Sequence, residues 1–110
     1  MNEKESIIYQ VLEIVVEECT STINEEVVVT KEDVLGKCKR DNVKMTRCIF
    51  VAQLKCLGYS NATIAAVLKR QPKAVPEILS TAYEYKKASR CYRNTDARCT
   101  LRVDKILPPS

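Results

Sequence analysis

The chain has 110 residues, enough for one domain with a single buried core. With no Trp, one Phe and two glycines, that core must be built from Ile, Leu, Val, Ala and Cys, and little room is left for a tight-turned all-β fold. The net charge of +4 is unevenly spread: residues 1–33 carry two basic against nine acidic side chains, and residues 34–110 sixteen basic against five acidic, a pattern suited to a polyphosphate partner or simply to a solvated helical surface.

Helical periodicity begins at once. Ile7, Ile8, Val11, Leu12, Val15 and Cys19 recur at helical spacing from about Glu3 to Cys19, with Glu13, Glu17 and Glu18 facing outwards. Ile14 and Val16 widen the apolar stripe, so this helix should pack on more than one side. A polar stretch ends it, and Val27-Val28-Val29 has strand propensity but no second strand to pair with, which predicts a buried connection. Thr30 then reads as an N-cap with Asp33 in the capping-box position, opening a short helix that turns Val34 and Leu35 inwards. The basic loop Lys37-Cys38-Lys39-Arg40 follows, and Asp41-Asn42 predicts the cap of the next helix.

From Val43 to Leu57 the pattern is apolar nearly all round, as in the central pillar of a bundle, except for Lys44 and Arg47 in its first turns. Gly58 supplies the stop at C′. Ser60 caps a short helix, Asn61 to Leu68, with Ile64, Ala65 and Leu68 apolar. Lys69-Arg70-Gln71-Pro72 forms a turn, and a last long helix spans about Lys73 to Ala88, burying Val75, Ile78, Leu79 and Ala82. Pro76 implies that this helix either starts there or is kinked in its first turn. Residues 1–88 thus read as one helical domain and 89–110 as a basic, flexible tail.

The parts needed for catalysis are missing. The chain has no His, so Ser–His and Cys–His pairs are excluded, and two isolated glycines cannot form a phosphate-cradling loop. No enzyme activity, cofactor or small-molecule substrate is predicted. Six cysteines without His and without a C-x-x-C pair do not predict a metal site; Cys48 and Cys56 read as core residues, and Cys91 and Cys99 lie in the polar tail, where a bridge is conceivable. No stretch suits a bilayer span, and the acidic opening is unlike a basic signal-peptide start, which predicts a cytoplasmic protein with reduced thiols and no membrane partner.

The strongest positive signal is Ser60 to Ala82. The small Ala65 after Ile64 lets a second helix cross close by, and Val75 falls eleven positions after Ile64, where the second helix of a helix-turn-helix sends its first apolar residue into the core. That helix would present Lys73, Ala74, Glu77, Ser80 and Thr81 outwards, short polar side chains beside cations, as a helix entering the major groove does. An ordinary helical hairpin with a solvated face would share the spacing.

Three segments carry a family resemblance: Thr30-Lys31-Glu32-Asp33-Val34-Leu35-Gly36-Lys37, the long Val43–Leu57 segment, and Ser60 to Leu68 with its Ile64-Ala65 pair. From about Ile7 to Tyr85 the chain resembles the C-terminal DNA-binding domain of the bacterial replication initiator DnaA, of the Trp-repressor-like helix-turn-helix group. The resemblance implies double-stranded DNA as partner and sets Arg47 at the place of the family's minor-groove arginine; the alternative for Arg47 is a surface pair with a carboxylate such as Asp41. Where the family carries Gly-Arg-Asp-His-Thr-Thr-Val, this chain reads Lys69-Arg70-Gln71-Pro72-Lys73-Ala74-Val75, keeping only Arg70 and Val75, so the DnaA box is not expected to be its target. No counterpart of the family's ATPase portion is expected within these 110 residues.

The fold expected is all-α: a compact bundle of about five helices containing a helix-turn-helix. Lys37, Lys39, Arg40 and Lys44 would hold phosphates, Arg47 would reach the minor groove, Lys69, Arg70 and Gln71 would cover the turn, and Lys73, Ala74, Glu77, Ser80 and Thr81 would face the major groove. The role implied is that of an accessory bacterial or phage regulator of transcription or replication, with a protein partner or a homodimer as further options. One alternative is a protein-interaction adaptor that kept the fold and lost DNA binding, suggested by Pro76 and Glu77. The other is an RNA-binding factor, for which only Tyr85 and Tyr92 are candidates to stack on bases.

Overall fold

The computed structural model describes residues 3–22, 29–37 and 40–107. Those residues form six helices: α1 (Glu3–Thr22), α2 (Lys31–Leu35), α3 (Asp41–Cys56), α4 (Asn61–Leu68), α5 (Ala74–Ala88) and α6 (Arg90–Ile106). No strand occurs among the described residues, and none of the helices is long and apolar enough to cross a membrane. Val29 is buried, as a buried connection requires, while Val27 and Val28 lie outside the described residues.

The apolar stripe of α1 does what its width implies. Ile8, Val11, Leu12, Ile14, Val15 and Cys19 are all buried, and the helix packs against both α3 and α6. Thr30 caps α2 through the predicted box: its hydroxyl accepts from the Asp33 N–H at 3.1 Å, and the Asp33 carboxylate accepts from the Thr30 N–H at 3.3 Å. α3 is the pillar, touching all five other helices and burying Val43, Ile49, Phe50, Val51 and Leu54. Its helical turns begin at Asp41, so the cap predicted at Asp41-Asn42 shifts by a residue, and the Asp41 charge sits in the first turn at the positive end of the helix.

Gly58, at φ 93°, ends α3 in a Schellman arrangement: the Tyr59 N–H reaches the Leu54 carbonyl at 3.2 Å and the Gly58 N–H that of Lys55 at 3.0 Å. Ser60 caps α4 through the Thr63 N–H, and Ile64, Ala65 and Leu68 are buried as their spacing predicts. α5 starts at Ala74, so Pro76 falls in the first turn, where its missing N–H would have had no partner in the helix; no kink is needed. Val75 and Ala82 are buried, whereas Ile78 and Leu79 are only partly covered.

The largest departure from the sequence reading is the tail. Residues 90–106 are not a flexible extension but a helix, and α6 packs on α1, α3 and α5. Ser89 closes α5 and opens α6, accepting from the Tyr92 N–H at 3.1 Å. Tyr92, Thr95, Cys99 and Val103 then form a buried stripe at helical spacing. Two α6 residues hydrogen-bond Gln53 of the pillar, whose amide donates to Asp96 Oδ1 at 3.0 Å and Thr100 Oγ1 at 2.9 Å. Arg102 reaches Glu17 at 2.8 Å and Glu18 at 3.1 Å on α1. The sixth helix was hidden because its stripe uses Tyr, Thr and Cys among five basic residues, and the polar majority dominates the pattern.

The thiols also divide. Cys19, Cys48 and Cys99 are buried, Cys56 is exposed rather than in the core, and none of these or Cys91 forms a disulfide. Cys91 and Cys99 stand eight residues apart on one helix, two turns and about 12 Å along its axis, too far to bridge.

Candidate nucleic-acid interface

α4 and α5 are joined by a tight turn, residues 69–73, whose geometry follows from the end of α4. The Arg70 N–H bonds the Ala65 carbonyl at 2.9 Å and the Lys69 N–H that of Ala66 at 3.2 Å. This is again a Schellman arrangement, but the C′ residue is Lys69 at φ 55°, a left-handed conformation that glycine adopts freely and a side chain resists. Lys69 is exposed at the bend.

Beside this turn runs an open groove of about 450 Å³ lined by Lys37, Lys69, Arg70, Gln71, Lys73, Ala74 and Glu77. Lys37 arrives from the end of α2, Lys69 to Lys73 from the turn, and Ala74 and Glu77 from the first turn of α5. A second open groove of about 310 Å³ lies between α3 and α5; Lys44, Arg70, Glu77 and Thr81 line it over a floor of Arg47, Cys48, Ile78 and Tyr85. Arg70 and Glu77 belong to both, so the two grooves flank the exposed start of α5.

Ten of the thirteen candidate residues line one or both of these grooves. Ser80 is exposed on the same helix but lines neither groove, and Arg40 is exposed and paired with Asp33 at 3.1 Å. Lys39 lies outside the described residues. Cys48 and Ile78 were not anticipated as surface-lining groups, because their apolar character assigned them to the core, whereas Tyr85 was a candidate for an accessible aromatic.

Arg47 requires a correction. It is 6 % exposed, with Nε donating to the Val34 carbonyl at 2.8 Å and Nη2 to those of Asp33 and Gly36 at 2.9 and 3.0 Å. Neither a minor-groove contact nor a surface pair with Asp41 fits that position. Its cation instead satisfies carbonyls at the end of α2, where a positive charge complements the helix dipole. Arg70 does part of the same work: it is half-buried, and its Nη2 donates to the Gly36 carbonyl at 2.8 Å. Gly36 suits this junction for steric reasons, since a Cβ there would stand 2.9 Å from the Glu32 carbonyl oxygen. Two guanidiniums on one carbonyl tie the end of α2, and hence Lys37, to the α4–α5 turn. The sequence signal for this hub was available in the glycine directly after a capped five-residue helix.

Burial pushes the Cys48 thiol up to about 11, against the opposing pull of Arg47 and Lys44, so it stays protonated at neutral pH and is a poor nucleophile. Burial likewise holds the Cys19 thiol up at about 12. Among the described residues no three His, Cys, Asp or Glu side chains gather as metal ligands. Tyr85 and Tyr92 stack on each other at 5.6 Å between centroids; Tyr92 is buried, with its ionisation pushed well upwards by that burial, and offers no platform for bases, while Tyr85 is half-buried and lines the second groove.

Comparisons with protein-family models, with curated proteins and with solved structures return no match.

Proposed function

We propose that the chain binds double-stranded DNA, with α4, the 69–73 turn and α5 serving as a helix-turn-helix whose second helix enters the major groove. One observation carries this reading: cations more than thirty positions apart, Lys37, Lys44, Lys69 and Lys73, flank the exposed start of a single helix. Phosphates would be held by Lys37, Lys69 and Lys44, while Lys73, Ala74, Glu77 and Thr81 face bases. The resemblance to the DnaA C-terminal domain supports the same orientation, and the altered 69–75 segment supports a target other than the DnaA box. The module has no chemistry of its own in this reading; it is an accessory regulator of transcription or replication in a bacterial or phage cytoplasm.

A salt series against random-sequence duplex tests this. With about four phosphates neutralised, log K should fall with log salt at a slope near −4. A flat response, or equal affinity for single-stranded DNA and RNA, would remove the reading. A second reading, a protein-interaction adaptor, gains support from Arg47 and Arg70, whose guanidiniums are engaged by backbone carbonyls instead of facing outwards.

A further inference from the structure

Glu77 is the anomaly of the basic surface. It is exposed, it lines both grooves, and Lys37, Lys44, Lys69, Arg70 and Lys73 line those grooves with it. Yet among the described residues its carboxylate carries no hydrogen bond or ion pair with any of them. Its place in the first turn of α5 explains some tolerance for negative charge, because the helix dipole favours an anion there. It does not explain a carboxylate in the middle of a surface read as facing phosphate, where an anion repels the ligand unless it has a donor to meet. In the major groove the donors are the amino groups of cytosine and adenine. Cytosine N4 stands without an acceptor beside it on its own base, whereas adenine N6 is flanked by N7, which a carboxylate would oppose.

Lys73 completes the pattern. It precedes Glu77 by four residues, has helical backbone angles (φ −63°, ψ −19°) and is exposed into the same groove. Residues i and i+4 lie on one helix face, so the surface offers a cationic donor next to an anionic acceptor. A C·G pair offers the complement in the major groove: the cytosine N4 donor beside the guanine O6 and N7 acceptors.

Resting on the DNA-binding reading above, we infer that Lys73 and Glu77 together read one C·G base pair, Glu77 accepting from cytosine N4 and Lys73 donating to guanine O6 and N7. Glu77 is then the residue that fixes sequence preference, and the surrounding lysines supply affinity that does not depend on sequence.

Selection from a random duplex library, run with the wild-type chain, Glu77→Ala and Glu77→Gln, tests the inference; thermal melts confirm that each variant is folded. The wild type should select C·G at one position by about tenfold. Glu77→Ala should lose that preference while binding random duplex at least as tightly, since a repulsive charge is gone. Glu77→Gln should move the preference at that position from C·G to A·T, because an amide matches the adenine N6 and N7 edge. Wild-type binding with steep salt dependence but no C·G preference, or an unchanged preference in both variants, overturns the inference and leaves the DNA reading intact. Failure of the wild type to bind any duplex at low salt overturns both.

Discussion

The two basic regions of this molecule use their charge in opposite ways. Around the start of α5, Lys37, Lys44, Lys69 and Lys73 line open grooves that they share with one carboxylate, Glu77. On α6, Arg102 lies against Glu17 and Glu18 of α1, and Arg93 donates to the Lys86 and Lys87 carbonyls at the end of α5. α6 touches neither α2 nor α4 among the described residues. Part of the acidic–basic split along the sequence is therefore complementarity between the first and last helices. A segment's net charge counts the cations that neutralise a neighbour together with those that meet a ligand, and only the fold separates them.

The sharpest way to break this comparison is to remove α6. Truncation after Ser89 should abolish cooperative thermal unfolding, because it strips Tyr92, Cys99 and Val103 from the core and uncovers the α1 stripe. Each such side chain contributes about 1.5–3 kcal/mol when fully buried, against a total stability for a small domain of about 5–15 kcal/mol. A truncated chain that still melts cooperatively near the full-length temperature would show α6 to be dispensable.

The next largest effect should come from Arg47. Replacing it with Ala leaves the Val34 and Asp33 carbonyls short of a charged donor in a buried setting, a loss of about 3–4 kcal/mol. The melting temperature should fall by about 15 °C. An Arg47→Ala protein of unchanged stability and weakened DNA binding would restore the minor-groove role and contradict the burial described above.

Lys69 offers a smaller effect with a distinctive sign. Lys69→Gly relieves the left-handed conformation at C′ and should stabilise the fold by about 0.5–1 kcal/mol. The same change should weaken duplex binding and make the salt slope shallower by about one. Unchanged affinity and salt slope in Lys69→Gly would mean that Lys69 contacts no phosphate. The smallest effect belongs to Arg102: its ion pairs are substantially exposed, so Arg102→Ala should cost less than about 1 kcal/mol, diminish further with added salt and leave DNA affinity unchanged.

Much of the fold was legible because local rules and packing agreed. The Thr30–Asp33 box, the Gly58 stop, the Ser60 cap and the Ile64–Ala65–Leu68 and Val75–Ala82 positions each follow from a residue type with one dominant structural use. Two features resisted for physical reasons. The α6 stripe is made of Tyr, Thr and Cys, residues whose burial depends on partners such as α1 and Gln53 that lie far away in sequence. Arg47 could be placed near a basic loop but not oriented, because its acceptors are backbone carbonyls, which every residue carries and no side-chain pattern reveals. In the candidate interface the cations of the turn were legible from charge and spacing. Lys37 and Lys44 were expected beside them as well, and the packing of α2 and α3 next to the turn is what brings these two to its grooves.

The central claim, that the cations flanking α5 bind phosphate while those of α6 do not, is tested most directly by salt-dependent duplex binding of charge-removal variants. Lys37→Ala and Lys73→Ala should each weaken binding and make a wild-type slope near −4 shallower by about one, whereas Arg98→Ala on the exposed face of α6 should leave both affinity and slope unchanged. Equal losses from Arg98→Ala and Lys73→Ala, or no loss from either lysine, would contradict it.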